Sequence, residues 1–292
     1  MYNEFYNFQQ APFALACQPR LYFASQAHSE ALASMVYCVQ QRKGMVLVTG
    51  QVGAGKTFVA HMLAARLGPS VHTVVLRHPP KTPKNLLRAI AAGIGLALPG
   101  SIDAHSLQQE LLEHLLRLHR RGRQVCLVID ECQDLSPAAM EEIRLLWNWE
   151  THAQRLVQIV LIGQPELREL LCQPKWESLR QRIVLSFHLQ GLDRADVCKY
   201  IQHRLDLASQ GNARVEFTPE AVEQITGASN GVPRLINTLC DNSLLVGYNR
   251  QVRIIDAEIV RIVINDMTCW GLNSEAENAE KLTSSLSGEC RG

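Results

Sequence analysis

Little in this sequence invites a metal, a disulfide scaffold or a membrane. The nine cysteines are odd in number, scattered, and never in a Cys-x-x-Cys pair. That excludes a zinc ribbon and points to reduced thiols in a cytoplasmic chain, several of them, such as Cys126 and Cys240, at apolar core positions. The ten histidines show no metal-ligand spacing either. Charge of one sign is missing too: 29 basic residues against 28 acidic ones leave a net charge of +1. This weighs against a strongly basic nucleic-acid binder, while leaving room for a local basic patch. The longest weakly apolar run, Ala89 to Pro99, is too short and too rich in glycine to span a bilayer. Met1-Tyr2-Asn3-Glu4-Phe5 has neither the basic start nor the apolar stretch of a secretory signal.

What remains is an ordinary soluble composition, 47% apolar and 20% charged, in 292 residues, enough for one large or two modest domains. The most informative stretch is Gly50-Gln51-Val52-Gly53-Ala54-Gly55-Lys56-Thr57. It matches the phosphate-binding loop, a glycine, four residues, then Gly-Lys-Ser/Thr, at every fixed position. Met45 to Thr49 before it is a β-branched, apolar run that predicts a buried strand. Phe58 to Leu67 after it has the content and spacing of a helix. Gly50, Gly53 and Gly55 let the backbone wrap closely and aim N–H groups at phosphate oxygens. The helix N-terminus at about Lys56 adds a positive dipole end. Lys56 is expected on the β- and γ-phosphates and Thr57 on a magnesium ion. A glycine turn without a ligand is the alternative, and the completeness of the motif in its strand–loop–helix setting weighs against it. The expectation is a bound nucleoside triphosphate along Gly50 to Phe58.

The rest of the chain supplies a setting. Residues 1–27 are aromatic and irregular, an extended arm that packs on the core. A helix is expected at about Ser29 to Arg42, a strand at His72 to Arg77, and helices from Thr82-Pro83 to Ile94 and from Ser106 to Arg121. Gln124 to Ile129 is a strand apolar on both faces. Ser136-Pro137 opens a helix to about Glu150. Leu156 to Gly163 and Ile183 to Leu189 complete five strands. Strands alternating with helices predict an α/β fold, a parallel five-stranded sheet covered by helices over residues 28–190. From 191 to 268 helices alone are expected: Arg194 to Ser209, Pro219 to Ser229, Pro233 to Tyr248 and Asp256 to Met267. A polar, disordered tail is expected over 269–292.

Several residues belong with the phosphate loop by position. Asp130-Glu131 ends an apolar strand, and in a parallel sheet ligands sit at the carboxyl ends of strands. Asp130 suits a magnesium ion, and Glu131 suits orienting or deprotonating an attacking water. Gln164 ends the next strand, where an amide reaches a γ-phosphate or water, or is simply a turn residue before Pro165. Arg180 and Arg182 precede the fifth strand and suit transition-state charge, or are a solvated pair. Arg234 stands in the first turn of a helix, where a cation opposes the dipole unless a phosphate compensates. Trp147-Asn148-Trp149 reads as packing, with a partner surface as the minority reading.

Taken together, Gly50 to Thr57, Val128-Ile129-Asp130-Glu131-Cys132-Gln133, Leu161 to Leu167, Leu179-Arg180-Gln181-Arg182-Ile183 and Gly231 to Asn237 resemble an AAA+ ATPase. With Met1-Tyr2, Pro12-Phe13, Pro19-Arg20 and His28-Ser29-Glu30-Ala31-Leu32, the chain resembles the general secretion pathway protein A (ExeA/GspA) ATPases over about residues 1–268. The resemblance implies ATP with Mg2+, Lys56 and Thr57 as Walker A, and Asp130 and Glu131 as Walker B. It further implies Gln164 at the sensor-1 place, Arg182 (less favoured, Arg180) as an arginine finger offered to a neighbouring subunit, and Arg234 as sensor 2 in a small helical lid. A finger in trans implies a homo-oligomeric ring. Proteins of that type continue into a membrane span and a periplasmic domain, which this sequence does not show. The expectation is therefore a cytoplasmic ATPase working with a separate protein partner at the inner membrane in secretion or envelope assembly, or else one whose role differs from envelope secretion. The competing expectation is a DNA-associated regulator of the transposition (TniB/TnsC) type, for which Arg117, Arg120, Arg121 and Arg123 form a candidate patch. A solvated helix end explains those four as well, so DNA is the less favoured partner.

Overall fold

The computed structural model describes residues 2–15, 19–151 and 154–269. The chain divides into two compact units, one of Gln26–Leu189 and one of Met1–Ser25 with Gln190 onward. It therefore crosses between them twice, at Ser25–Gln26 and at Leu189–Gln190.

The larger unit is an α/β layer structure. Its strands are β1 (Met45–Gly50), β2 (Val71–Leu76), β3 (Gln124–Ile129), β4 (Val157–Gly163) and β5 (Ile183–Leu189). They form one sheet in the order β2-β3-β4-β1-β5, with every pairing parallel. Alternate residues feed two separate cores, as a pleated strand requires. Met45, Leu47, Leu127, Ile129, Ile159 and Leu161 enter one core; Val46, Val48, Cys126, Val128, Val160 and Ile162 enter the other. This is why the strands read as unbroken apolar runs rather than alternating ones.

Helices α2 (Gln26–Gln40) and α3 (Lys56–Leu67) cover the second core through Leu32, Met35, Val59 and Leu63. Helices α4 (Pro83–Gly93), α5 (Ala104–Arg120) and α6 (Pro137–Trp147) cover the first. Their starts follow from local chemistry. Asp103 accepts from the Ser106 N–H at 3.0 Å, and Ser136 Oγ accepts from the Ala139 N–H at 3.1 Å. Each quenches an orphan helix donor. The helix expected to reach Glu150 ends at Trp147, because Glu150 turns into an antiparallel bridge with Arg155. Two helices that the apolar pattern does not announce, α7 (Glu166–Cys172) and α8 (Glu177–Arg180), lie between β4 and β5. They are short, and short helices carry little periodicity.

The smaller unit carries α1 (Tyr2–Tyr6), α9 (Arg194–Ser209), α10 (Pro219–Ser229), α11 (Pro233–Asn249) and α12 (Ala257–Cys269). It is not wholly helical. β6 (Glu216–Phe217) pairs in parallel with β7 (Ile254–Ile255). Two residues per strand are too few to leave an alternating signature in sequence.

The opening residues are part of this unit's core. Tyr6, Phe8 and Phe13 are buried against Leu244, Phe217 and Ile255. The buried Arg204 donates to the Pro12 carbonyl at 2.7 Å and to the Ala14 carbonyl at 2.7 Å. A buried cation needs such acceptors, and the arm supplies them.

Among the described residues no helix is long and apolar enough to cross a membrane. Cys38, Cys126, Cys132 and Cys240 are buried free thiols. Burial pushes Cys126 up to about 12, which makes it an inert core residue. The polar segment beyond Cys269 lies outside the described residues.

Candidate functional site: the carboxyl edge of the sheet

β1 delivers Gly50 to the edge of the sheet, and the loop that follows turns into α3. Two glycines sit in the left-handed region, Gly53 at φ 83° and Gly55 at φ 92°. There a side chain would be strained. Gly50 is needed for a different reason: a Cβ there would stand 2.8 Å from the Leu189 carbonyl.

Inside this loop the Lys56 ammonium donates to the Gly50 carbonyl at 2.7 Å and to the Gln51 carbonyl at 2.9 Å. An ammonium has three donors, so the third is left for an anion. Lys56 is 5% exposed. Burial lowers its pKa, while Glu131, Asp130 and Glu166 oppose that shift. The loop thus holds a desolvated cation among acidic neighbours.

Thr57, the next residue, donates its hydroxyl to Asp130 Oδ2 at 2.8 Å. This contact joins the first helix turn after β1 to the end of β3, 73 positions on. Asp130 is 2% exposed, and burial raises its pKa against the pull of the Thr57 and Glu131 donors. Its other oxygen accepts from the Glu131 N–H at 3.0 Å.

Glu131 has φ 52° and ψ 42°, left-handed for a residue with a side chain. That conformation costs about 1–2 kcal/mol, and it is tolerated where the surroundings fix it. Two amides face the Glu131 carboxylate: Gln133 Nε2 donates to Oε2 at 2.5 Å, and Gln164 Nε2 lies 3.4 Å from the same oxygen. Gln133 in turn accepts the Gln164 N–H on Oε1 at 3.0 Å. The ends of β3 and β4 are therefore laced together through Glu131, Gln133 and Gln164.

The structure brings together Lys56, Thr57, Asp130, Glu131 and Gln164, and does not bring Arg182 to them. Arg182 precedes β5, whose first residue pairs with Met45 at the start of β1. The loop follows the other end of β1, six residues along, roughly 15–20 Å away at strand rise. Arg182 donates to Asn148 Oδ1 at 3.3 Å and to the Ser178 carbonyl. Its guanidinium lies 5.4 Å from the centre of the Trp147 ring, on which Arg155 also stacks at 4.0 Å. Arg180 is turned to the carbonyls of Leu171 and Cys172, at 3.4 and 3.1 Å. Arg234 lies exposed in the first turn of α11, in the smaller unit. Val52 is exposed at the tip of the loop, and Phe58 follows Thr57 in α3.

Three residues had no assigned role in the sequence and touch this site. Gln133 braces Glu131, Glu166 adds charge near Lys56, and His28 touches the Ala54 carbonyl at 3.0 Å. Only their contacts reveal them. A glutamine in a turn, a glutamate opening a helix and a histidine in a first helical turn each have ordinary structural uses.

With this geometry in view, the comparisons converge. Residues 39–171 match the AAA domain family model, a span that contains the phosphate loop, Asp130, Glu131 and Gln164. The chain is 37% identical over 250 residues to general secretion pathway protein A of Aeromonas hydrophila. The chain carries a region similar to the AAA domain family and is similar to general secretion pathway protein A.

That alignment covers 86% of this chain and 45% of the relative, so the chain spans about half of that protein's length. Among solved structures, the ORC2 protein of Aeropyrum pernix in its ADPNP–ADP complexes superposes with a TM-score of 0.66 at 15% identity, covering 88% of this chain and 72% of that one. The ORC1 protein of Aeropyrum pernix in complex with DNA gives 0.65 at 16% identity, with 89% and 70% covered. The Thermotoga maritima RuvB branch migration motor gives 0.54 at 17% identity, with 86% and 74% covered. At such identities the likeness is one of fold, and the fold is that of the AAA+ nucleotide-binding proteins.

Proposed function

We propose that this AAA-domain chain binds ATP with Mg2+ on Gly50–Phe58 and hydrolyses it, as a homo-oligomer, in a cytoplasmic motor or switch. The observation that carries the reading is the Thr57 hydroxyl on the Asp130 carboxylate at 2.8 Å, beside the buried Lys56 ammonium. A hydroxyl and a carboxylate held together are hard oxygen donors, the set that suits a magnesium ion. Thr57 and Asp130 would hold it, and it would supply charge neutralisation between phosphate oxygens.

The protein's own groups account for the remaining work. The loop backbone and the α3 N-terminus receive phosphate, and Lys56 offers its third donor. Glu131 takes the proton of the attacking water, once Gln133 and Gln164 release or reorient its carboxylate. Gln164, the residue after β4, is assigned to sensing the terminal phosphate, a reading supported by its amide beside Glu131. Arg182 stands at the wrong edge of the sheet for its own loop, so it serves a nucleotide only when a second copy brings one to it. That supports a ring or filament with shared sites. Arg234, at a helix N-terminus where its charge is unfavourable alone, is assigned to the nucleotide phosphates as well.

The similarity to general secretion pathway protein A supports a role in secretion or envelope assembly, with a protein partner at the inner membrane. The alternative, a DNA-associated regulator of the transposition type, rests on Arg120, Arg121 and Arg123, which are exposed at the end of α5 and just beyond it. Arg117 in the same group already pairs with Glu113 at 3.9 Å, and cations at a helix C-terminus are favourable without DNA. Phosphate release from MgATP, measured across protein concentration with and without duplex DNA, tests both. Turnover per subunit that rises with concentration and ignores DNA is expected. Strong stimulation by DNA, lost as salt is raised, would move the assignment to the alternative. No turnover at any concentration would leave a nucleotide-gated scaffold.

A further inference from the structure

We propose that His28 is a positioning residue for phosphate binding: its Nε2–H fixes the Ala54–Gly55 peptide so that the N–H end of that peptide faces the bound phosphate. The proposal rests on the phosphate-binding reading above and adds a residue from outside the loop.

The observations are local and independent of the motif. His28 is a buried histidine, 5% exposed, in the first turn of α2. Its Nε2 is 3.0 Å from the Ala54 carbonyl oxygen. A carbonyl only accepts, so Nε2 carries the hydrogen. A Cβ on Gly55 would stand 3.0 Å from the same nitrogen, so the imidazole is packed against the loop as well as bonded to it.

The consequence follows from peptide geometry. The Ala54 carbonyl and the Gly55 N–H belong to one planar trans unit and point in opposite directions. A donor that captures the carbonyl on the α2 side sends the N–H to the other side, the concave side of the loop. Gly55, with positive φ, lets this peptide rotate more freely than a residue with a side chain would when nothing holds it. The flexibility that lets the loop wrap a phosphate also lets this peptide turn its carbonyl inward, where it would repel an anion. His28 removes that second arrangement before ligand arrives, which is preorganisation in the ordinary sense.

The test is nucleotide affinity with MgADP as the probe, by titration calorimetry on the full chain. His28→Leu keeps bulk and removes the donor, and His28→Gln keeps a donor. Lost preorganisation at one hydrogen bond predicts about a tenfold weaker complex for His28→Leu, with His28→Gln recovering most of the loss. Hydrogen exchange over residues 50–58 of the free protein is expected to rise in His28→Leu and to stay near the parent level in His28→Gln.

Parent-like affinity in a folded His28→Leu variant would overturn the proposal. So would equal weakening in both variants with unchanged exchange in the loop. If His28→Leu does not fold, the His28→Gln pair of measurements decides alone: weakened binding with loop exchange at the parent level would overturn it. Lys56→Ala separates the two readings. Unchanged MgADP affinity there removes the phosphate site itself, whereas lost affinity there with parent-like His28→Leu removes only the role of His28.

Discussion

The two edges of the five-stranded sheet use the same strands for different ends. At the carboxyl edge, polar groups from three strands answer one another within hydrogen-bond reach: Lys56 on the loop carbonyls, Thr57 on Asp130, and the two glutamines on Glu131. At the amino edge, cations rest on an aromatic ring instead, with Arg155 and Arg182 both stacked on Trp147. The first edge is complete within one chain. The second holds Arg182 on Asn148, the Ser178 carbonyl and the Trp147 ring. A parallel sheet separates its two edges by the length of its strands.

Three substitutions break this comparison. Lys56→Ala removes the buried ammonium and should weaken ATP binding by about a hundredfold or more, the worth of a charge-assisted contact; a fluorescent nucleotide titration checks it. Glu131→Gln should keep nucleotide affinity and lower turnover by at least about a hundredfold, as expected for a lost general base. Equal turnover in that variant would sink the role given to Glu131. Arg182→Ala should likewise keep binding and lose turnover, by an amount on the order of a thousandfold for a finger supplied in trans.

The sharpest form of the Arg182 experiment mixes the Arg182→Ala and Glu131→Gln proteins. Some interfaces in the mixture then pair an intact Glu131 with an intact Arg182, and activity should reappear. A mixture as dead as its components would place Arg182 in a structural role on Trp147. The smallest effect is expected away from both edges. Thr218 accepts the Ala221 N–H at 3.2 Å and caps α10. Thr218→Ala should lower stability by about 1 kcal/mol and leave nucleotide affinity untouched, which a denaturant melt and the same titration would show.

Most of the sheet was legible because its strands are apolar on both faces and bounded by sharp signals. Gln124–Ile129 and Ile183–Leu189 are observed with the bounds their residues predict. Pro219–Ser229 likewise starts at Thr218-Pro219, a cap followed by a residue that favours the first turn. Helices α7 and α8 were not legible, since seven and four residues give no usable period. Nor was the pairing of β6 with β7, or the burial of Tyr6 and Phe13 in the helical unit, because each depends on which distant residues meet.

The candidate site divides along the same line. The phosphate loop and Asp130-Glu131 are readable because spacing itself carries their chemistry. The parts played by Gln133 and His28 appear only when three-dimensional neighbours are known, because glutamine and histidine occur in many settings.

The two places where the chain leaves the sheet unit both abut the phosphate loop. His28, three residues past Ser25, meets Ala54. Leu189, the last residue before the second crossing, lies against Gly50 so closely that a methyl group would not fit between them. The loop is therefore moored at both of its ends to the cords that lead to the helical unit.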